Sequence, residues 1–255
     1  MINLEKAKNA FKKYVKNYNP EDGKIAIKIN HIYRVAEISR EIAIMNNFKD
    51  EEQKLSELIG LLHDIGRFEQ IRVYNTFNDN KSINHAEMAI KVLFEDGLIR
   101  DFITQTDYDE IIKTAILNHN KGRIDENIDE KILPFCKVIR DADKVDIFYV
   151  LNEEKFENTY EKADISNEKI SDEICREFKE DRIIDYKKRK SAADIMVSHF
   201  AYIFDFNYGY CLKKIKQEKY LEKLYEKANY KNQETITKME EIIEIANKYI
   251  DEKLK

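Results

Sequence analysis

Two prolines and six glycines in 255 residues leave this chain almost without breakers. Proline and glycine stop helices and shape the tight turns between strands, so their scarcity favours long helices over many short strands. Apolar spacing agrees. Ile27, Val35, Ile38 and Ile42 recur at helical intervals, as do Leu55, Leu58, Ile59 and Leu62, and Ile111, Ile112, Ala115 and Ile116. No segment sustains period-two alternation. The pattern predicts an all-α fold with helices near 2–17, 25–47, 50–64, 83–96, 107–119, 130–152, 168–182, 188–206, 209–228 and 232–253. The glycines fall where such helices stop or turn: Gly23 precedes one, Gly66 follows one, and Gly97, Gly122 and Gly209 lie near the ends of others.

The chain is 43% hydrophobic and 36% charged, a globular composition, and long enough for one large domain or a domain with an extension. No apolar run approaches the roughly 18–20 residues of a membrane span, and the N-terminal stretch lacks a secretory pattern. The three cysteines, Cys136, Cys175 and Cys211, have no CxxC spacing, so they suggest neither a disulfide framework nor a thiolate zinc site and read as small hydrophobes. The expected compartment is the cytoplasm, with no membrane partner. Net charge is −5, from 44 basic and 49 acidic residues, which speaks against a dedicated duplex-binding surface. The cluster "YKKRK" at 186–190 reads as a solvated helix face.

The stretch "GLLHDIGRFEQ", residues 60–70, places His63 and Asp64 at the end of an apolar run. A buried His–Asp hydrogen bond at a helix C-terminus would account for them, and so would a metal. The histidine census bears on the choice. Of five histidines, His31, His63, His85 and His119 lie in the first 120 residues, in or beside apolar helical segments. One such residue is an ordinary core histidine. Four buried imidazoles all need partners for their nitrogens, and a shared metal supplies them at once. In "KVIRDADKVDIFYV", 137–150, Asp143 falls on the buried stripe with Ile139 and Ile147. Asp141 lies about 200° away and is expected to be solvated, whereas Asp146 is placed to orient a ligand or a neighbouring helix. The polar stretch "YNTFNDNKSIN", 74–84, reads as a loop bordering the site.

In order, these residues give H…HD…D: His31, His63–Asp64 and Asp143. The chain thereby resembles the HD-domain superfamily of metal-dependent phosphohydrolases. "HIYRVA" is similar to its first motif, "LLHDIGR" to its second and "RDADKVD" to its last. The resemblance covers residues 24–152, leaving 1–23 as an N-terminal helix and 153–255 as a helical extension packed on the core. It implies an HD-domain helical bundle with additional C-terminal helices. His85 and His119 match the two-metal branch, in which one ion takes His31, His63, Asp64 and Asp143 and the other Asp64, His85 and His119. Some members of that branch carry adjacent histidines at the later position, whereas "LNHNKG" has His119 alone. That difference leaves either an open coordination position or a weakly filled second site.

The resemblance implies hydrolysis of a phosphoester by a metal-activated water, with Asp64 anchoring the ions and nucleophile. Nitrogen and oxygen ligands without thiolate favour iron or manganese, with zinc, nickel, cobalt and magnesium compatible. Arg67 stands where related sequences carry lysine and is read as a phosphate clamp, since guanidinium binds phosphate bidentately but donates protons poorly. Arg34 and Lys144 are weaker candidates for substrate binding and are expected rather to pair with acidic neighbours. His199 and Asp205 are left outside the site, although their helix could wall the pocket. The expected substrate is a small phosphorylated metabolite of nucleotide type; oligomeric state stays open. Two other readings share the ligands: an HD-fold mixed-valent diiron oxygenase, and a non-catalytic nucleotide-binding regulatory module.

Overall fold

A computed structural model describes residues 1–19, 21–160, 162–180, 182 and 184–255, and no strand occurs among them. The chain divides into two compact units, Met1–Asp146 and Ile147–Lys255.

The first unit contains α1 (Leu4–Val15), α2 (Gly23–Met45), α3 (Asp50–Leu62), α4 (Gly66–Tyr74), α5 (His85–Ile90, continued by a wider turn over Lys91–Glu95), α6 (Ile99–Phe102), α7 (Asp109–His119) and the first part of α8 (Leu133–Glu153). Its core takes most of the expected apolar residues, although Ile27 and Ile111 are only half-buried and Ile32 joins it. Ile32, Val35 and Ile42 of α2, Leu58 and Leu62 of α3, Ile112 and Ile116 of α7 and Ile139 of α8 are all fully buried. Helix starts follow ordinary capping: Asn3, Asp22 and Asn84 each accept a hydrogen bond from a first-turn amide.

Two glycines of the 60–70 stretch set how closely helices approach. A Cβ on Gly60 would stand 2.7 Å from the Ala36 Cα, and one on Gly66 would stand 2.3 Å from the His85 carbonyl oxygen and 2.4 Å from the Ala89 nitrogen. Only glycine lets α2 touch α3, and α4 touch α5, at these points. Gly66 is therefore not a terminator, as its position suggested, but the first residue of α4.

Helix α4 is absent from the sequence expectation. Its buried residues, Phe68, Gln70 and Ile71, mix polar with apolar because the helix faces a polar network, so no apolar stripe announces it.

The second unit holds α9 (Phe156–Tyr160), α10 (Asp172–Glu180), α11 (Ala192–Phe200), α12 (Gly209–Glu218), α13 (Tyr220–Ala228) and α14 (Gln233–Lys253). The single helix expected over 209–228 is broken at Lys219, which adopts the left-handed conformation (φ 54°). The helix expected over 168–182 runs from 172 to 180, and residue 181 lies outside the described residues. Segment 186–188 is a short 3-10 turn rather than a helix face, and Lys188 pairs there with Glu173 and Glu177.

Candidate metal centre

Six side chains from five helical segments meet in the first unit. His31 comes from α2, His63 and Asp64 from the α3–α4 junction, His85 from the start of α5, His119 from the end of α7 and Asp143 from α8. Five of the six are buried; Asp143 retains 18% side-chain exposure. Their ligand atoms form three overlapping groups in which all lie within 4.8 Å of one another: His31, His63 and Asp64; His63, His119 and Asp143; and Asp64, His85 and His119.

The geometry centres on Asp64. Its Oδ2 faces His31 Nε2 at 3.6 Å and His63 Nε2 at 3.8 Å, and its Oδ1 faces His85 Nε2 at 3.4 Å and His119 Nε2 at 3.8 Å. Asp143 Oδ1 lies 3.2 Å from His31 Nε2 and 3.8 Å from His63 Nε2.

Each imidazole is fixed from behind. His31 Nδ1 donates to Asp146 (2.7 Å), His63 Nδ1 to the Gly60 carbonyl (2.7 Å), His85 Nδ1 to Asp79 (2.6 Å) and His119 Nδ1 to the Ile116 carbonyl (2.6 Å). All four acceptors are carbonyls or carboxylates, so Nδ1 carries the hydrogen and Nε2 presents its lone pair inward.

Those inward atoms decide whether a cation fits. His31 Nε2, His63 Nε2 and Asp64 Oδ1 are buried without a hydrogen-bond partner, which is costly in a site built only for packing. Burial pushes the pKa values of His63, His85 and His119 down, the last two to about 4, so these rings are neutral near pH 7. Burial opposes ionisation of Asp64, yet the Lys28 ammonium, with the Arg67 guanidinium, outweighs it and holds the carboxyl well below its usual range. Burial opposes protonation of His31, yet the carboxylates of Asp143 and Asp146 outweigh it and push its pKa up. The neutral imidazoles of His63, His85 and His119 with the two carboxylates, Asp64 and Asp143, form a nitrogen–oxygen donor set suited to a divalent ion.

The HD domain family model matches residues 29–147. This stretch is an HD domain. Comparison with curated proteins and with solved structures gives no significant match. HD domains are in general metal-dependent phosphohydrolases, so the family assigns metal-dependent hydrolase-type chemistry here and leaves the substrate unspecified.

The substrate candidates are placed differently from one another. Arg67 enters the HD centre, with Nε 3.5 Å from Asp64 Oδ1. Its Nη1 donates to Gln70 Oε1, the Phe77 carbonyl and Asp79 Oδ1 at 2.7–2.8 Å, tying the 74–84 loop to α4. Arg34 makes a two-point contact to Asp146, at 2.6 and 3.0 Å, on the carboxylate that orients His31. Lys144 is buried on α8. The expectation for Asp141 is overturned. It is fully buried, because α8 is packed around much of its girth and one-sided amphipathicity does not apply. His199 lies in the second unit, with Nδ1 buried and unbonded.

Three contributors were missed. Lys28, one turn before His31, places Nζ 2.6 Å from Asp64 Oδ2; the i−3 spacing on α2 was the available signal. Asp79 joins Arg67, Gln70 and His85, but a loop aspartate carries no periodicity to mark it. Buried Arg140 of α8 donates to the carbonyls of Asn118 (3.0 Å), Lys121 and Gly122 (3.2 Å), fastening the turn after His119.

Proposed function

We propose that this chain is a phosphohydrolase acting on a small phosphorylated metabolite of nucleotide type. The observation that carries this reading is the division of Asp64, one oxygen toward His31 and His63 and the other toward His85 and His119. That arrangement supports two ions sharing Asp64, with His31, His63 and Asp143 completing one set and His85 and His119 the other. Iron or manganese suits these donors. When bound, two divalent ions supply an acidified water and positive charge opposite a phosphoryl oxygen.

The protein's own groups do the rest. Asp146, Asp79 and two carbonyls fix the tautomer and direction of each imidazole. Arg67 keeps Nη1 on the protein and turns Nε and Nη2 toward the centre, where they can bind an oxyanion. Balanced charge supports a small substrate over a polymer. Residues 24–152 make up the catalytic part in this proposal, with 1–23 and 153–255 as helical additions. Three free, buried cysteines support a reducing compartment, the cytoplasm, and no helix among the described residues is long and apolar enough to cross a membrane.

The test is a panel of nucleoside mono-, di- and triphosphates and cyclic nucleotides, assayed with iron or manganese under anaerobic conditions. Turnover without dioxygen supports a hydrolase and eliminates an oxygenase. Metal uptake with no turnover on any ester defeats the proposal.

A further inference from the structure

Two cations stand on the two oxygens of Asp64, and they are held in different ways. Lys28 Nζ lies 2.6 Å from Oδ2, and its side chain keeps 21% exposure on a flexible stem. On the other oxygen, Arg67 is anchored by three acceptors at Nη1, while its opposite edge is open to the centre. Nη2 has a single long contact, 3.4 Å to His85 Nε2, and Nε is buried without a hydrogen-bond partner, 3.5 Å from Asp64 Oδ1. An anchored guanidinium with a free Nε/Nη2 edge is a preset fork for two oxygens of one anionic group.

We propose that Lys28 and the free edge of Arg67 form a two-armed clamp for a terminal phosphoryl group, so that the site takes phosphomonoesters in preference to phosphodiesters. The proposal rests on the phosphohydrolase reading and deepens it to a substrate class. A divalent cation on Asp64 would draw on the same negative charge as the Lys28 ammonium, 2.6 Å from Oδ2, and would repel that ammonium. Once its oxygens are committed to a cation, the ammonium needs another anion within reach of its stem, and a phosphoryl group held by Arg67 is such an anion. A monoester offers three non-bridging oxygens and close to two negative charges at neutral pH, enough for the fork, the ammonium and the cations together. A diester offers two oxygens and one charge, and its second ester arm would leave a desolvated donor unpaired. Arg34 does not substitute for either arm, because its Nε and Nη2 are both spent on Asp146.

The experiment uses the full, metal-loaded chain as wild type, Lys28→Met, Lys28→Gln and Lys28→Arg. It reads kcat/KM on p-nitrophenyl phosphate and on ethyl p-nitrophenyl phosphate, inhibition by inorganic phosphate, and metal content. Wild type should prefer the monoester. Both uncharged variants should keep wild-type metal content or bind metal more tightly, since a positive neighbour is gone. They should weaken inhibition by phosphate about tenfold or more and lose monoester activity selectively, with Lys28→Arg recovering most of it. Should Lys28→Met fail to fold, Lys28→Gln carries the comparison. A wild-type preference for the diester, or phosphate inhibition unchanged in the uncharged variants, overturns the clamp while leaving a hydrolase. Wild-type enzyme that neither hydrolyses any ester nor binds phosphate overturns the functional reading along with it.

Discussion

His85 and His119 turn their Nε2 atoms toward each other across 3.0 Å, and neither nitrogen has a hydrogen to offer. Each ring gives its hydrogen at Nδ1, His85 to Asp79 and His119 to the Ile116 carbonyl. Two lone pairs at that distance repel unless a positive charge lies beside both, and Asp64 Oδ1 faces the same point.

The first prediction follows from this pair. Adding manganese or iron(II) to chelator-treated protein should raise its melting temperature, by the equivalent of about 2.7 kcal/mol at a hundredfold excess over Kd. His119→Ala should reduce the metal bound per chain. Unchanged stoichiometry in that variant would place the ion elsewhere.

Asp146 acts at one remove. Its Oδ2 accepts from His31 Nδ1, and Arg34 braces the same carboxylate. Asp146→Asn keeps the shape but removes the charge, so metal affinity should fall about 10–100-fold with helical content intact. Chelator competition measures the former, circular dichroism the latter.

Arg67→Ala should retain metal and mainly raise KM, roughly tenfold, because the fork toward substrate is lost. Loss of metal or unfolding in this variant would make Arg67 a structural residue, since it also ties Phe77 and Asp79 to α4.

Gly66→Ala should be among the most damaging single-methyl changes in the chain. The new Cβ meets backbone of α5 at 2.3–2.4 Å, and backbone cannot rotate aside. A destabilisation of about 3 kcal/mol or more is expected by chemical denaturation. The start of α5 would move, taking His85 with it.

Acid should weaken the second unit through His199. Burial, with help from Arg189, lowers its pKa to about 3, against about 6.5 unfolded. As pH falls below 6.5 the unfolded chain takes up this proton first. The stability is therefore whole above pH 6.5 and is lost progressively toward pH 3, at up to about 1.4 kcal/mol per pH unit. His199→Phe, between the Tyr160 and Tyr202 rings, should show a shallower loss of melting temperature between pH 7 and 5 than wild type.

The sequence by itself determined the helical class and the identity of the gathered side chains. Scarce breakers and helical apolar spacing suffice for the first. His31, His63, His85 and His119 were legible because histidines on apolar faces need partners, Asp64 because it adjoins His63 at the end of an apolar run, and Asp143 because it closes the H…HD…D series. What only the tertiary structure decided is everything that depends on which faces meet. Asp141 is buried and Asp143 partly open, the reverse of the helical-wheel expectation, because α8 is enclosed and Asp143 faces the site rather than packed apolar core. Helix α4 escaped notice because Gln70 interrupts its apolar face to bond Asp79, Ser82 and Ile83 of the loop. The break at Lys219 carries no glycine signal; a left-handed lysine persists there because the surrounding packing outweighs about 1–2 kcal/mol of local preference. Local pattern fixes which residues want partners, and long-range packing chooses the partners, because a neighbour 34 residues away, as for His85 and His119, or 115 away, as for His31 and Asp146, leaves no trace in a side chain's own periodicity.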